Sequence, residues 1–173
     1  MNFPKEQFVP IFILGLMLLY SYYYFSQKNP GIIENLWGTI KGRLREFYIY
    51  SILVCFVFFF FIFIYLNTYN KFNQIEIDTI IISLYGIVLT SILWMPLSII
   101  YYKKPDNLLR FTIIVLLLLV GLFAFNLFYT LYNIKDDSLL KRVSMIGSFY
   151  FFIQAFFMDF LYWNYAFLFR YSP

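Results

Sequence analysis

One acid in this chain stands where an acid is costly: Asp159, flanked by Phe156, Phe157, Met158 and Phe160 in the middle of the fifth long apolar run. At the centre of a membrane helix a carboxylate costs about 2.5–3.5 kcal/mol on insertion scales, so the side chain has to face the protein interior, carry a proton or meet a partner. On an α-helix Ala155, Tyr162 and Trp163 share its face, while Gln154 and Asn164 lie nearby at larger angular offsets. Two readings follow. Asp159 is either the acceptor of an interhelical hydrogen bond, from Asn126, Thr90 or a tyrosine hydroxyl, or a ligand or proton site. Trp94 and Trp163 divide in the same way, between interface anchors and the walls of a pocket.

Other chemistry is scarce. The chain has no histidine, which removes the commonest general base, the commonest metal ligand and the usual axial ligand of haem. No glycine-rich phosphate loop and no Cys-x-x-Cys pair occurs. Asp136 and Asp137 fall in a charged loop and read as solvated; Glu76 and Asp78 read as markers of a membrane boundary. Cys55, the single cysteine, lies in an apolar run, permits no intrachain disulfide and reads as a small packing residue. An intramembrane enzyme needs a second buried catalytic group that the sequence does not offer. The expectation is therefore a protein that is not an enzyme, with no metal and no cofactor.

The elements that must position Asp159 are membrane helices. Of 173 residues 62% are hydrophobic and 13% charged, against roughly 45–50% and about 25% in soluble domains. The charges cluster between apolar runs about as long as a bilayer is thick, which predicts an all-α, polytopic helical bundle of about five spans in one transmembrane domain. The runs cover about 8–25, 47–66, 79–102, 110–132 and 143–169. The first ends in a tyrosine-rich stretch and reads as a retained helix rather than a cleaved signal, because no small-residue cleavage site follows. Residues 26–46 are too charged to span; they read as an amphipathic piece on the membrane surface, with Trp37 and Leu44 dipping inward. In the third run Ser83, Gly86, Thr90 and Trp94 share a face suited to close helix packing, and Pro96 should kink the helix or loosen a turn.

Lys and Arg flank the spans and form no continuous stripe, so a net charge of +4 reads as topogenic and not as nucleic-acid affinity. About eight lie on the side of the first and third loops, Arg170 included, against about five on the other. This predicts an outside N-terminus and a cytoplasmic C-terminus in an unspecified membrane.

The five-span topology, the long first loop and the run Leu84-Tyr-Gly-Ile-Val-Leu-Thr-Ser-Ile-Leu-Trp-Met-Pro-Leu-Ser98 together resemble the TspO/MBR translocator-protein family, with Trp94-Met95-Pro96 standing where that family carries Trp-Pro-Pro. The first loop lacks the family's Trp-Tyr and Lys-Pro-x-Trp-x-Pro-Pro patterns, and the fourth span is rich in Leu and Phe instead of Ala. The resemblance implies a five-helix bundle that binds porphyrins, sterols or other apolar ligands in a pocket closed by the first loop, and a cytoplasmic C-terminus.

The function expected from the residues is binding or transport of an apolar or aromatic small molecule. Asp159, Trp94 and Trp163 would line the site, with Asn126 and Thr90 as polar neighbours and the segment from Trp37 to Arg45 as a lid. The alternative is a structural subunit of a larger, organellar membrane complex. Partners on these readings are the lipid bilayer, a porphyrin or sterol, and further copies or subunits.

Overall fold

Polar side chains cap the starts of three of the helices. Asn73 and Glu76 form a reciprocal capping box, the Asn73 side chain accepting from the Glu76 N–H and the Glu76 carboxylate from the Asn73 N–H, each at 2.8 Å. Asp106 accepts from the N–H groups of Leu108 and Leu109 at 2.9 and 3.0 Å, and Ser138 from that of Lys141 at 3.2 Å. In the computed structural model, which describes residues 1–168, the helices are α1 (Lys5–Lys28), α2 (Pro30–Leu36), α3 (Arg43–Thr68), α4 (Gln74–Lys103), α5 (Asn107–Asn133) and α6 (Leu139–Ile153). A π-helical segment, Gln154–Leu168, prolongs α6. No strand occurs among the described residues. Phe169 and Arg170, which enter the expected fifth span and the charge count, lie outside them.

Five helices among the described residues are long and apolar enough to cross a bilayer, the fifth running from Leu139 to Phe167 through the change of winding. The chain is an integral, multi-pass, all-α membrane bundle. Large apolar side chains such as Leu93, Phe111, Leu122 and Tyr129 stand exposed on its outer surface, where lipid is the solvent and leaving them uncovered costs nothing. Backbone polar groups are satisfied within each helix, the condition for crossing hydrocarbon. α4 runs unbroken through Pro96.

The spans form a ring of neighbours. α1 packs on α4, α4 on α5, α5 on α6 and the π-helical segment, and these in turn on α3. Phe8 and Phe63, with ring centroids 5.7 Å apart, bring α1 to α3 at one end. Close approaches depend on small residues: Gly147 lets Phe58 lie against α6, since a Cβ there would stand 2.6 Å from the Phe58 side chain. Gly86 admits the ring of Phe123 in the same way. Asn126 donates to Ser83 at 2.9 Å, fastening α5 to α4.

The first connection is not a surface-lying helix from end to end. Its helix α2 packs against α4 and α1; Leu36 and Ile40 are buried, whereas Leu44 is 40% exposed. Leu36 and Ile40 anchor the connection against the bundle, and Trp37, half-buried, meets the ring of Tyr48. Gly38 makes the fold-back possible. It has φ +55, and a Cβ on it would collide with the Ala166 carbonyl of the last span.

Gly147→Ala should therefore force Phe58 away and lower stability by about 1–3 kcal/mol, while Gly15→Ala, whose Cβ meets nothing within 4 Å, should be neutral or stabilising by up to about 1 kcal/mol. Thermal unfolding of the two variants in one detergent checks the contrast.

Candidate functional site

The site begins with the winding of the last span. In a π-helix the backbone bonds run from i to i+5, so residues five apart come together, and Gln154 Nε2 donates to Asp159 Oδ1 at 3.1 Å. This corrects the α-helical face read from the sequence. Gln154 belongs beside Asp159, and Tyr162 turns outward, 36% exposed; Ala155 and Trp163 remain buried.

The second donor comes from α3. Tyr48 donates its hydroxyl to the same oxygen of Asp159. Three residues on, and on the same helical face, Ser51 donates to Gln154 Oε1 at 2.5 Å. Tyr150 lies 2.8 Å from Ser51 Oγ; because the Ser51 proton is committed to Gln154, Tyr150 is the donor. The chain Tyr150, Ser51, Gln154, Asp159, Tyr48 thus joins α6, α3 and the π-helical segment. Both donors to the carboxyl meet Oδ1, and no donor among the described residues meets Oδ2.

Tyr48 lies in the second turn of α3, so Asp159 sits toward the α2 end of the bundle and not at mid-depth. Aromatic rings surround this level. Trp94 and Trp163 meet edge to face with centroids 5.0 Å apart, Tyr22 meets Trp94 at 5.8 Å, and Trp37 meets Tyr48 at 5.4 Å. Trp163 Nε1 donates to the Leu36 carbonyl at 2.9 Å, tying the last span to α2. Trp94 Nε1 is buried without a partner among the described residues.

A cavity of about 250 Å³ opens among these groups. Asp159, Trp94, Trp163 and Trp37 all line it, joined by Tyr22, Tyr48 and Gln154. Farther from α2 its walls are apolar, supplied by Phe58, Phe59, Ile62, Leu127 and Phe151. Cys55, a free thiol, also faces it. The chain's three tryptophans therefore border one space.

Asn126 and Thr90 do not border it. Asn126 is engaged with Ser83, and the Thr90 hydroxyl turns back onto the Gly86 and Ile87 carbonyls at 2.5 and 3.2 Å. Their place is the α4–α5 seam, a correction to the expected site. The cover is also displaced from the expected segment: Ile33, Leu36 and Trp37 line the cavity at its end, and of the residues from Trp37 to Arg45 only Trp37 lines it. Just outside, Arg45 pairs with Glu34 and lies 5.0 Å from the Trp37 ring centroid. The hydrogen bond from Arg45 holds the Glu34 carboxyl below its ordinary range.

Tyr48 and Ser51 were not singled out from the sequence. Their signal is a sparse stripe of polar or small residues at positions 48, 51 and 55 in a span otherwise rich in Phe, Ile and Leu. No group of three or more possible metal-binding His, Cys, Asp or Glu side chains occurs among the described residues. Comparison with family models, curated proteins and solved structures returns no match.

The Tyr48–Asp159 bond should be measurable by a double-mutant cycle of Tyr48→Phe and Asp159→Asn in reversible unfolding from mixed micelles. The expected coupling is about 0.5–2 kcal/mol; additive losses would mean that the two side chains do not interact.

Proposed function

We propose that this membrane protein binds, and moves, a compact apolar or aromatic small molecule in the cavity beside Asp159, and that it is not an enzyme. The observation that carries this reading is an intrabundle space of about 250 Å³ bordered by all three tryptophans and by a carboxyl oxygen that no donor among the described residues occupies. Ligand pockets are mostly apolar with a few placed polar groups, and their usual range begins near 300 Å³. A small ring system fits that space as it stands. A porphyrin or sterol, the ligand class implied by the resemblance to the TspO/MBR family, requires the helices to part.

The position of the cover supports the same reading. α2 and Trp37 close the end of the cavity nearest Asp159, as the resemblance implies for a pocket under the first loop. Lys41, Arg43, Arg45, Lys103 and Lys104 gather at this end, so by the charge rule the covered mouth faces the cytoplasm. As for catalysis, Asp159 is the one carboxyl group bordering the cavity among the described residues, its neighbour Tyr48 is engaged as a hydrogen-bond donor to it, and the chain has no histidine, the commonest general base.

Because the tryptophans all border the cavity, their emission reports its occupancy. Titration with a neutral polycyclic aromatic quencher, a porphyrin and a sterol should give saturable binding of the compact quencher. Val88→Phe, which adds a ring to the wall, should weaken it at least tenfold, about 1.4 kcal/mol. Unsaturable quenching, or equal binding by the variant, argues against a pocket ligand. Recovery in mild detergent as an assembly far larger than 21.0 kDa plus its micelle would favour the subunit role instead.

A further inference from the structure

The geometry points to a lipophilic amine as the ligand: a protonated nitrogen held by Asp159 Oδ2, with an apolar body extending away from α2. This deepens the proposed function and rests on it.

The cavity has two unlike ends. Near α2 it holds a carboxyl group among the rings of Tyr22, Tyr48, Trp94 and Trp163; at the other end it is walled by Phe, Ile and Leu. A molecule matching this layout is charged at one end and greasy along its length. The sign of the charge follows from the lining. Asp159 is the acid there, and neither Lys nor Arg borders the cavity among the described residues, so the protein supplies no counter-charge of its own. Tyr48 and Gln154 spend their protons on Oδ1. Oδ2 retains its lone pairs for a donor that must arrive from elsewhere, and in a water-poor site an unpaired carboxylate oxygen is costly.

Three classes of ligand can be separated on this basis. An anion is repelled by Asp159. A neutral hydrocarbon leaves Oδ2 unpaired. An ammonium N–H completes the carboxylate, and the faces of the surrounding indole and phenol rings attract the same cation. The setting of Asp159 toward one end of the bundle also suits an amphiphile drawn from the bilayer, whose charged nitrogen rides near the interface while its body lies in hydrocarbon.

The test uses three probes on one skeleton: a naphthyl tertiary amine, its trimethylammonium analogue and the neutral analogue with carbon in place of nitrogen. Binding is read by tryptophan quenching in nanodiscs, with empty nanodiscs and Val88→Phe as background. Wild type should bind the tertiary amine at least tenfold more tightly than the neutral probe, with the quaternary cation, which has charge but no N–H to give Oδ2, in between; a quaternary cation that binds as tightly as the amine overturns the N–H contact. Asp159→Asn, which keeps the shape and a hydrogen-bonding group, should reduce that preference to less than twofold while leaving neutral-probe affinity within threefold. Equal binding of cationic and neutral probes by wild type overturns the amine assignment and leaves the pocket standing. A cation preference that survives Asp159→Asn overturns the role of Asp159. Failure of all three probes to bind overturns the pocket as well. If Asp159→Asn does not fold, the wild-type ranking of the three probes decides.

Discussion

A carboxyl group placed among hydrocarbon must be answered from within the protein, and the inner half of this structure is arranged around that answer. Tyr48 and Gln154 supply the donors to Asp159, Ser51 holds Gln154, and Tyr150 holds Ser51. Each step joins residues whose partners lie in another helix or in the π-wound continuation of the same one. Interhelical apolar contact gains little in lipid, because lipid tails are as apolar as Leu and Phe side chains. Polar bonds and close packing at glycines therefore carry the specificity of assembly. Asn126 with Ser83 plays the corresponding part between α5 and α4, and Tyr85 with Gln7, at 3.0 Å, between α4 and α1.

The sequence made the membrane bundle legible because a bilayer imposes a length and a composition that apolar runs display directly. The caps at Asn73, Asp106 and Ser138 were not singled out, although each is a short polar side chain ahead of an apolar run. The importance of Asp159 was visible from its cost. Its surroundings were legible only in part, because an α-helical wheel assumes a period that the last span abandons at Gln154: the wheel kept Gln154 near the acid but off its face, and put Tyr162 on that face. Thr90 and Asn126 misled for a different reason. A polar residue on a shared face signals a contact, but the face alone does not say whether the contact is a neighbouring helix or a cavity.

Burial in a membrane protein also separates groups by depth. The ion pair of Arg45 with Glu34 belongs to the wet edge, where it is screened and worth little. Asp159, one layer in, keeps its charge-bearing atoms near that edge while its span continues to it, which lowers the cost set by a midplane position. A polar, aromatic zone under α2 and an oily zone beyond it thus follow from where the acid can be tolerated.

The tie between α2 and the last span has a consequence for biosynthesis. Trp163 bonds the Leu36 carbonyl across 127 positions of chain, and Gly38 nests against Ala166. When residues 30–42 leave the ribosome their seat does not yet exist. Part of that seat, on α4, comes with the third span, but the bond from Trp163 and the nest at Ala166 wait for the fifth. Closure of the cavity thus awaits the fifth helix, and a chain stopped before that helix would leave the apolar walls of an unfinished groove uncovered.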